Sequence, residues 1–137
     1  SEDRWESLKP LPQACVEVAV VVVKETQCLF ALGGLDRALL DLVQRLSLGR
    51  LEWDVLPIRL PSAGKNIACF NQDESRVCFV VGEKLYCLNA LAECSMTLIK
   101  RVGDITSSYG PTYYFRGSLF CSNGVGVANL VVVGPLK

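Results

Sequence analysis

Apolar, β-branched residues occur along the chain in short runs, and the runs come in pairs that a few polar residues separate. The three pairs are residues 16–23 with 27–32, 66–70 with 76–81, and 113–115 with 118–122. Runs of this length and composition, with turn-forming residues between them, are typical of antiparallel β-hairpins. The pattern therefore predicts three copies of one hairpin.

The hairpins belong to an internal repeat of about 49 residues, a length typical of propellers and solenoids. Identical residues at this spacing include Pro12 and Pro61, Phe30 and Phe79, and Gly33 and Gly82. The two tryptophans of the chain, Trp5 and Trp53, occupy the same position of the repeat, with the spacing shorter by one residue. A weaker third unit follows, in which residues 119–124 take the place of residues 29–34.

Two further strands are predicted after each hairpin. The third strand contains Leu46 in the first unit, Tyr86 in the second and residues 129–133 in the last. The fourth contains Trp53 and ends at Pro61, and proline at a strand end suits an outer edge position because it has no amide donor. A four-stranded antiparallel sheet of this kind has the size of one propeller blade.

The stretch from Phe30 through Gly33 and Gly34 to Trp53 and Pro61 resembles a Kelch repeat. An apolar strand that ends in Gly-Gly, followed some residues later by tryptophan, is the signature of that family. The resemblance implies an all-β fold, made of Kelch-like β-propeller blades of four antiparallel strands. Because the signature serves backbone geometry and packing, we expect the two glycines and both tryptophans to lie in the core.

About three degenerate units of one Kelch-like repeat region would fill the chain. The expected divisions are a strand at 4–12 from a preceding or closing blade, a blade at 14–61, a blade at 64–102 and a partial blade at 110–137. The second unit retains Gly82 but has Glu83 in place of the second glycine. The residues of the repeat signature, all with expected structural roles, are Trp5, Pro12, Gly33, Gly34, Trp53, Pro61 and Gly82.

Three blades are too few to close a ring, since known propellers use about four to eight. Closure therefore requires further blades of the same chain, or a second copy that completes a six-bladed ring with two-fold symmetry. The first arrangement is favoured, because the third unit is degenerate and the sequence starts without methionine.

A competing pattern predicts an α+β fold. Between residues 35 and 47, apolar side chains from Leu35 to Leu46 recur at the three- and four-residue spacing of an amphipathic helix. Residues 88–102 fit a helix less well. The repeat favours strands instead, because its matching positions continue on both sides of these segments.

The charge of the chain is balanced, with 14 basic and 14 acidic residues and no basic block. This argues against a nucleic-acid partner, because neutralising phosphates needs clustered Lys and Arg. No apolar run reaches the length of about 18 residues that a membrane-spanning helix needs, which argues against a membrane partner.

The chain contains no histidine, which excludes histidine general bases, Ser-His and Cys-His nucleophile pairs, and most catalytic zinc sites. Its seven cysteines form no Cys-x-x-Cys pair and lie mostly in apolar stretches, as reduced thiols of a cytoplasmic protein do. The sequence therefore predicts no catalytic residue, no cofactor and no metal site.

These features favour a non-catalytic protein-interaction module or scaffold of Kelch type, whose loops present a partner-binding face. Tyr109 and Tyr113 are candidate contacts with a protein partner, because exposed tyrosine is favoured at interfaces. One alternative is a non-catalytic part of a larger Kelch-like enzyme, since some Kelch-like propellers are oxidases that bind copper through tyrosine, histidine and cysteine. Another is a structural α+β subunit of a complex.

Overall fold

The β-rich runs of the sequence form strands in the structure, a computed structural model that describes residues 4–91, 94–101, 113–115, 118–122 and 130–133. The last three ranges are described by their backbone alone. No described residue is helical, which confirms the all-β prediction. The described strands form two four-stranded antiparallel sheets, one three-stranded sheet and one small hairpin.

The first sheet has the strand order β1-β2-β5-β6, and a small hairpin of β3 and β4 interrupts the chain between β2 and β5. Its strands are β1 (Ala19–Val23), β2 (Cys28–Leu32), β5 (Leu42–Ser47) and β6 (Glu52–Arg59), and the hairpin strands are β3 (Leu35–Asp36) and β4 (Ala38–Leu39). Alternate residues of β1 are buried, as expected when one face of a strand packs on a core. Pro57 lies in β6, an edge strand of this sheet, which is where sheets tolerate a residue without an amide donor.

The alternative with helices near 35–47 and 88–102 is wrong for the described residues. Arg37 has a φ of 64° and turns the chain between β3 and β4, which breaks the apparent helical spacing. Residues Leu42–Ser47 then pair with strands on both sides. Tertiary pairing thus overrides a pattern of apolar residues that a helix would also satisfy.

The second sheet repeats the antiparallel order of the first without the inserted hairpin. Its strands are β7 (Ala68–Asn71), β8 (Arg76–Val81), β9 (Lys84–Asn89) and β10 (Met96–Arg101), in the order β10-β9-β8-β7. Gly82 and Glu83 join β8 to β9 with φ values of 58° and 65°. Positive φ at both central residues matches the twist of a tight hairpin, so the second unit needs no Gly-Gly pair here.

The third sheet consists of β11 (Tyr113–Phe115), β12 (Ser118–Ser122) and β13 (Leu130–Val133), in that order. Both of its pairings are antiparallel. The described part of the chain thus contains strands at the positions of all three predicted hairpins.

A single apolar cluster joins the first two sheets. Phe30, Leu32 and Val43 of the first sheet and Val77 and Phe79 of the second belong to it, and all five side chains are fully buried. A second cluster lies on the opposite face of the second sheet, because its members alternate with those of the first along β7, β8 and β9. Its members are Ala68, Phe70, Cys78, Val80 and Leu85. Strand β8, inside the second sheet, is therefore buried on both faces.

Residues 4–12 differ from the expected strand of a preceding or closing blade, because the structure assigns no strand to them. They approach the first sheet through hydrogen bonds to side chains instead. The indole nitrogen of Trp53 donates to the carbonyl of Lys9 at 2.9 Å. A segment held in this way has no ladder partner among the described residues.

Candidate partner-binding face

The glycines of the repeat signature lie where the backbone needs positive φ. Gly33, Gly34 and Gly82 have φ values of 64°, 110° and 58°. Gly33 and Gly34 are buried at the end of β2, and the amide of Gly34 donates to the carbonyl of Gly64 at 2.9 Å. This bond ties the end of β2 to the segment that leads into the second sheet. Gly82 lies in the exposed turn between β8 and β9.

The tryptophans do not both lie in the core. Trp5 is fully exposed, so its predicted core position is wrong. Trp53 is half-buried on the edge strand β6, opposite Leu46. Because β6 is an edge strand, no further strand among the described residues covers the indole ring of Trp53 on one side. The N-terminal segment, residues 4–13, covers this ring only in part. Pro12 and Pro61 are exposed and lie outside the strands.

The two candidate contact tyrosines stay predictions. Tyr109 lies outside the described residues. Tyr113 is the first residue of β11, and its backbone pairs with Phe120 of β12.

The first two sheets lie side by side with equivalent elements adjacent. The side-chain amide of Asn71 in β7 donates to the carbonyl of Val22 in β1 at 2.7 Å. The turns that follow these strands are also joined, because the amide of Glu25 donates to the carbonyl of Glu74 at 3.0 Å. Equivalent strands and turns thus contact each other, as in a head-to-tail array of repeats.

The strand pairing corrects the alignment of the repeat. Val21 pairs with Phe30 in the first sheet, whereas its match at the 49-residue spacing, Phe70, pairs with Cys78. Phe30 is therefore equivalent to Cys78, not to Phe79, and Gly34 rather than Gly33 is equivalent to Gly82. A shift of one residue moves every side chain of a strand to the other face.

The same pairing explains the remaining positions of the two sheets. Leu29 is opposite Leu46, which is opposite Trp53, and in the second sheet Val77 is opposite Leu88, which is opposite Met96. Met96 thus takes the place of Trp53. In this register, the equivalent positions on the three strands after the first carry apolar residues in both sheets.

With this register, the two sheets use opposite faces where they meet. The first sheet contributes Phe30 to the shared cluster, and the equivalent Cys78 lies in the second cluster instead. The second sheet contributes Val77 and Leu88, whose equivalents Leu29 and Leu46 lie on the far side of the first sheet. That far side is therefore the counterpart of the surface on which the first sheet packs.

We call this far side of the first sheet the outer face. Its residues, which share one face by the strand pairing, are Val20, Val22, Leu29, Ala31, Gln44, Leu46, Trp53 and Val55. Val20, Val22 and Val55 are 52%, 43% and 45% exposed. Three apolar side chains on one sheet face are thus open to solvent.

The N-terminal segment covers another part of the outer face. Gln44 is fully buried, and its side-chain oxygen accepts from the amide of Gln13 at 2.9 Å. Its side-chain nitrogen donates to the carbonyl of Gln13 at 3.2 Å. This two-way pairing satisfies a buried amide, which would otherwise oppose folding. The segment near residues 9–13 therefore follows β5 and β6 and leaves the β1 side of the face open.

The composition of β1 carries a signal for the outer face that the sequence interpretation did not use. The strand reads Ala-Val-Val-Val-Val, with apolar residues at every position. Such continuous runs are typical of strands covered on both faces, whereas strands with one wet face alternate. Val20 and Val22 are exposed here despite this composition.

A groove of about 440 Å³ lies between β1 and β7 at the turn end of the two sheets. Val22, Lys24, Asn71, Asp73 and Glu74 line it. Among the described residues, no group of three or more His, Cys, Asp and Glu side chains is arranged to hold a metal ion. The part of the chain that the structure describes also has no helix long and apolar enough to cross a membrane.

Asp73 organises the turn between β7 and β8. Its carboxylate accepts from the amides of Ser75 and Arg76, both at 2.9 Å, and from the Arg76 guanidinium at 2.7 Å. The guanidinium first, and then these amides, lower the pKa of Asp73 to about 2. The ionised carboxylate is therefore part of the folded turn.

Acid should weaken this turn in a defined pH range. Because the folded-state pKa of Asp73 is lowered, its stabilisation is present above its ordinary value of 3.8 and is lost as pH falls toward about 2. We expect Asp73→Asn to remove this contribution and to flatten the change in thermal stability across that range. Melting curves of both proteins at pH 4, 3 and 2 measure it, and parallel slopes would contradict the role of Asp73.

No protein-family model matches the chain, and a search of curated proteins finds no significant match. A function can therefore be inferred from two observations: the head-to-tail packing of the first two sheets, and the exposure of apolar residues on the outer face.

Proposed function

We propose that the chain is a non-catalytic protein-interaction module built from Kelch-like propeller blades, and that the outer face is its assembly surface. One observation carries the proposal. The outer face is equivalent to the surface of the second sheet that the first sheet buries, yet Val20 and Val22 on it are exposed. In a repeat that packs head to tail, each such face is buried against a neighbouring unit.

The composition of the chain supports a non-catalytic role. No histidine is present to act as a general base or to activate a cysteine or serine nucleophile. The glycines of the signature hold backbone turns, and Trp53 packs at a sheet edge. These residues act in the scaffold.

The occupant that we propose for the outer face is the three-stranded sheet of a second copy. Three sheets follow one another along the chain, and the contact between the first two is head to tail. If the last sheet of each copy repeats this contact on the first sheet of the other, two copies close into a ring of six sheets. Six lies within the range of about four to eight blades in propellers, and the two contacts are related by a two-fold axis.

The outer face has the chemistry that such a contact needs. Val20, Val22 and Val55 are neutral and branched, like the residues that fill the cluster between the first two sheets. Burial of apolar surface contributes about 25 cal/mol per Å² before the costs of association. A charged residue placed in this face should therefore oppose the contact strongly.

Multi-angle light scattering at several concentrations tests the proposal on Val20→Lys and Leu98→Lys. Leu98 is the matched control, since it is 54% exposed on β10 of the second sheet while Val20 is 52% exposed on β1. We expect the unaltered chain to reach a mass near twice 15.0 kDa. Val20→Lys should weaken association about tenfold or more, equivalent to ~1.4 kcal/mol, and Leu98→Lys should not.

A folded monomer at every concentration, or equal dimers of the chain and of Val20→Lys, would overturn the second copy as occupant. A far-UV circular dichroism spectrum with the same β signal for each variant shows that the charge has not unfolded the sheet.

A further inference from the structure

Two cysteines lie directly opposite each other in the second sheet. Cys78 of β8 pairs with Cys87 of β9. The amide of Ala90 donates to the carbonyl of Ser75 at 2.9 Å, so this pair at the start of the ladder is a hydrogen-bonded one. Hydrogen-bonded and non-hydrogen-bonded pairs alternate in antiparallel sheets, which makes the pair of cysteines, three positions further, a non-hydrogen-bonded one.

This position is compatible with a disulfide. Cα atoms of non-hydrogen-bonded pairs are about 4.5 Å apart, and disulfides bridge Cα separations of about 4.4–6.8 Å. Both thiols also point toward one acceptor, because each sulfur lies 3.5 Å from the side-chain oxygen of Gln72. Both cysteines are free thiols in the structure.

The two thiols differ in access. Cys78 is buried, and Cys87 is half-buried and lines a groove of about 300 Å³. The other residues that line the groove are Gln72, Arg76, Asn89, Ser95, Thr97 and Ile99. A small solute in this groove therefore meets Cys87 first.

Burial and nearby charges also make Cys87 the more reactive of the two thiols. Burial raises the pKa of Cys87, while the charge of Arg76 acts to lower it. Burial and then the neighbouring Cys87 raise the pKa of Cys78 to about 12. Cys87 is thus the thiol that more readily supplies a thiolate, the form that reacts with oxidants.

We propose that Cys78 and Cys87 are a redox modification site, at which a small peroxide in the groove forms a reversible cross-strand disulfide. The Cys87 thiolate attacks one peroxide oxygen, the O–O bond breaks, and hydroxide leaves and takes a proton to become water. Cys87 is then a sulfenic acid. The Cys78 sulfur, after losing its proton, attacks the Cys87 sulfur, so that the S–S bond forms, the S–O bond breaks and a second water leaves.

Atoms and electrons balance over these two steps. The two thiols together lose two electrons and two protons, and one peroxide molecule accepts them to form two waters. The bond removes both S–H donors from Gln72, which lies beside Asp73 in the turn between β7 and β8. Oxidation therefore acts on the hydrogen bonding of that turn.

Treatment of the full chain with hydrogen peroxide tests the site, with intact-mass measurement and peptide mapping as readouts. We expect a loss of about 2 Da, the mass of two hydrogens, with Cys78 and Cys87 in one cross-linked peptide and full reversal by dithiothreitol. The rate should rise steeply from pH 7 to pH 8, because only the thiolate of Cys87 reacts.

Cys87→Ser, at a half-buried position, should abolish the cross-link and leave Cys78 a free thiol. Cys15→Ser, at another half-buried cysteine, should leave the cross-link unchanged. A main cross-link between other cysteines, or Cys87 oxidised to sulfinic acid beside an unmodified Cys78, would overturn the proposal.

Discussion

Phe79→Ala is expected to destabilise the fold by about 3–5 kcal/mol, the usual cost of removing a buried phenylalanine. The Phe79 side chain has no exposed surface and lies in the cluster that joins the first two sheets. Its ring also stacks on Tyr86, with 5.6 Å between the centroids. The variant loses apolar burial and the contact between the two rings, and it leaves a cavity between the two sheets.

Unfolding in urea, with linear extrapolation at one fixed protein concentration, measures the free energy of unfolding. Trp5→Ala is the matched control, because it removes a larger aromatic group from a fully exposed position. It should change stability by less than about 0.5 kcal/mol. Equal losses in the two variants would return Trp5 to the core, where the repeat signature puts it.

The strands were predictable from the sequence because the periodicity of apolar residues is local. The apolar runs predict strands at residues 76–81 and 118–122, and the structure has β8 (Arg76–Val81) and β12 (Ser118–Ser122) there. The short turns between the hairpin strands follow from the same local composition.

The register of the repeat was not predictable in the same way. The spacing of 49 residues aligns Phe30 with Phe79, and the identity of the two residues favours this alignment. Pairing with β1 and β7 instead makes Phe30 equivalent to Cys78, because one residue fewer lies between paired positions of β7 and β8 than between the equivalent positions of β1 and β2. Which face a residue occupies depends on its partner strand, and that partner is remote in sequence.

The outer face is not predictable from the sequence for a related reason. Apolar residues at every position of β1 indicate cover on both faces, but the pattern does not identify what provides it. Only the packed structure shows that Gln13 reaches Gln44 while Val20 and Val22 stay exposed. The repeat position alone places Trp5 in the core, and no alternation of apolar and polar residues around Trp5 supports that position.

Gly33→Ala should have the second of the two largest effects, with a loss of about 3 kcal/mol or more. Gly33 has a φ of 64°, and an alanine in this conformation costs about 1–2 kcal/mol by itself. A Cβ atom there would also clash with the carbonyl oxygen of Gly64 and would lie 2.8 Å from the Cδ1 atom of Ile67. The backbone oxygen can move only with the segment that leads into the second sheet.

Gly49→Ala separates this effect from the general cost of replacing glycine. Gly49 lies in the turn between β5 and β6, and a Cβ atom there would contact nothing within 4 Å. This control should be neutral, or stabilising by up to about 1 kcal/mol through the lower entropy of the unfolded chain. Urea unfolding of both variants gives the comparison, and equal stabilities would show that Gly33 has room for a side chain.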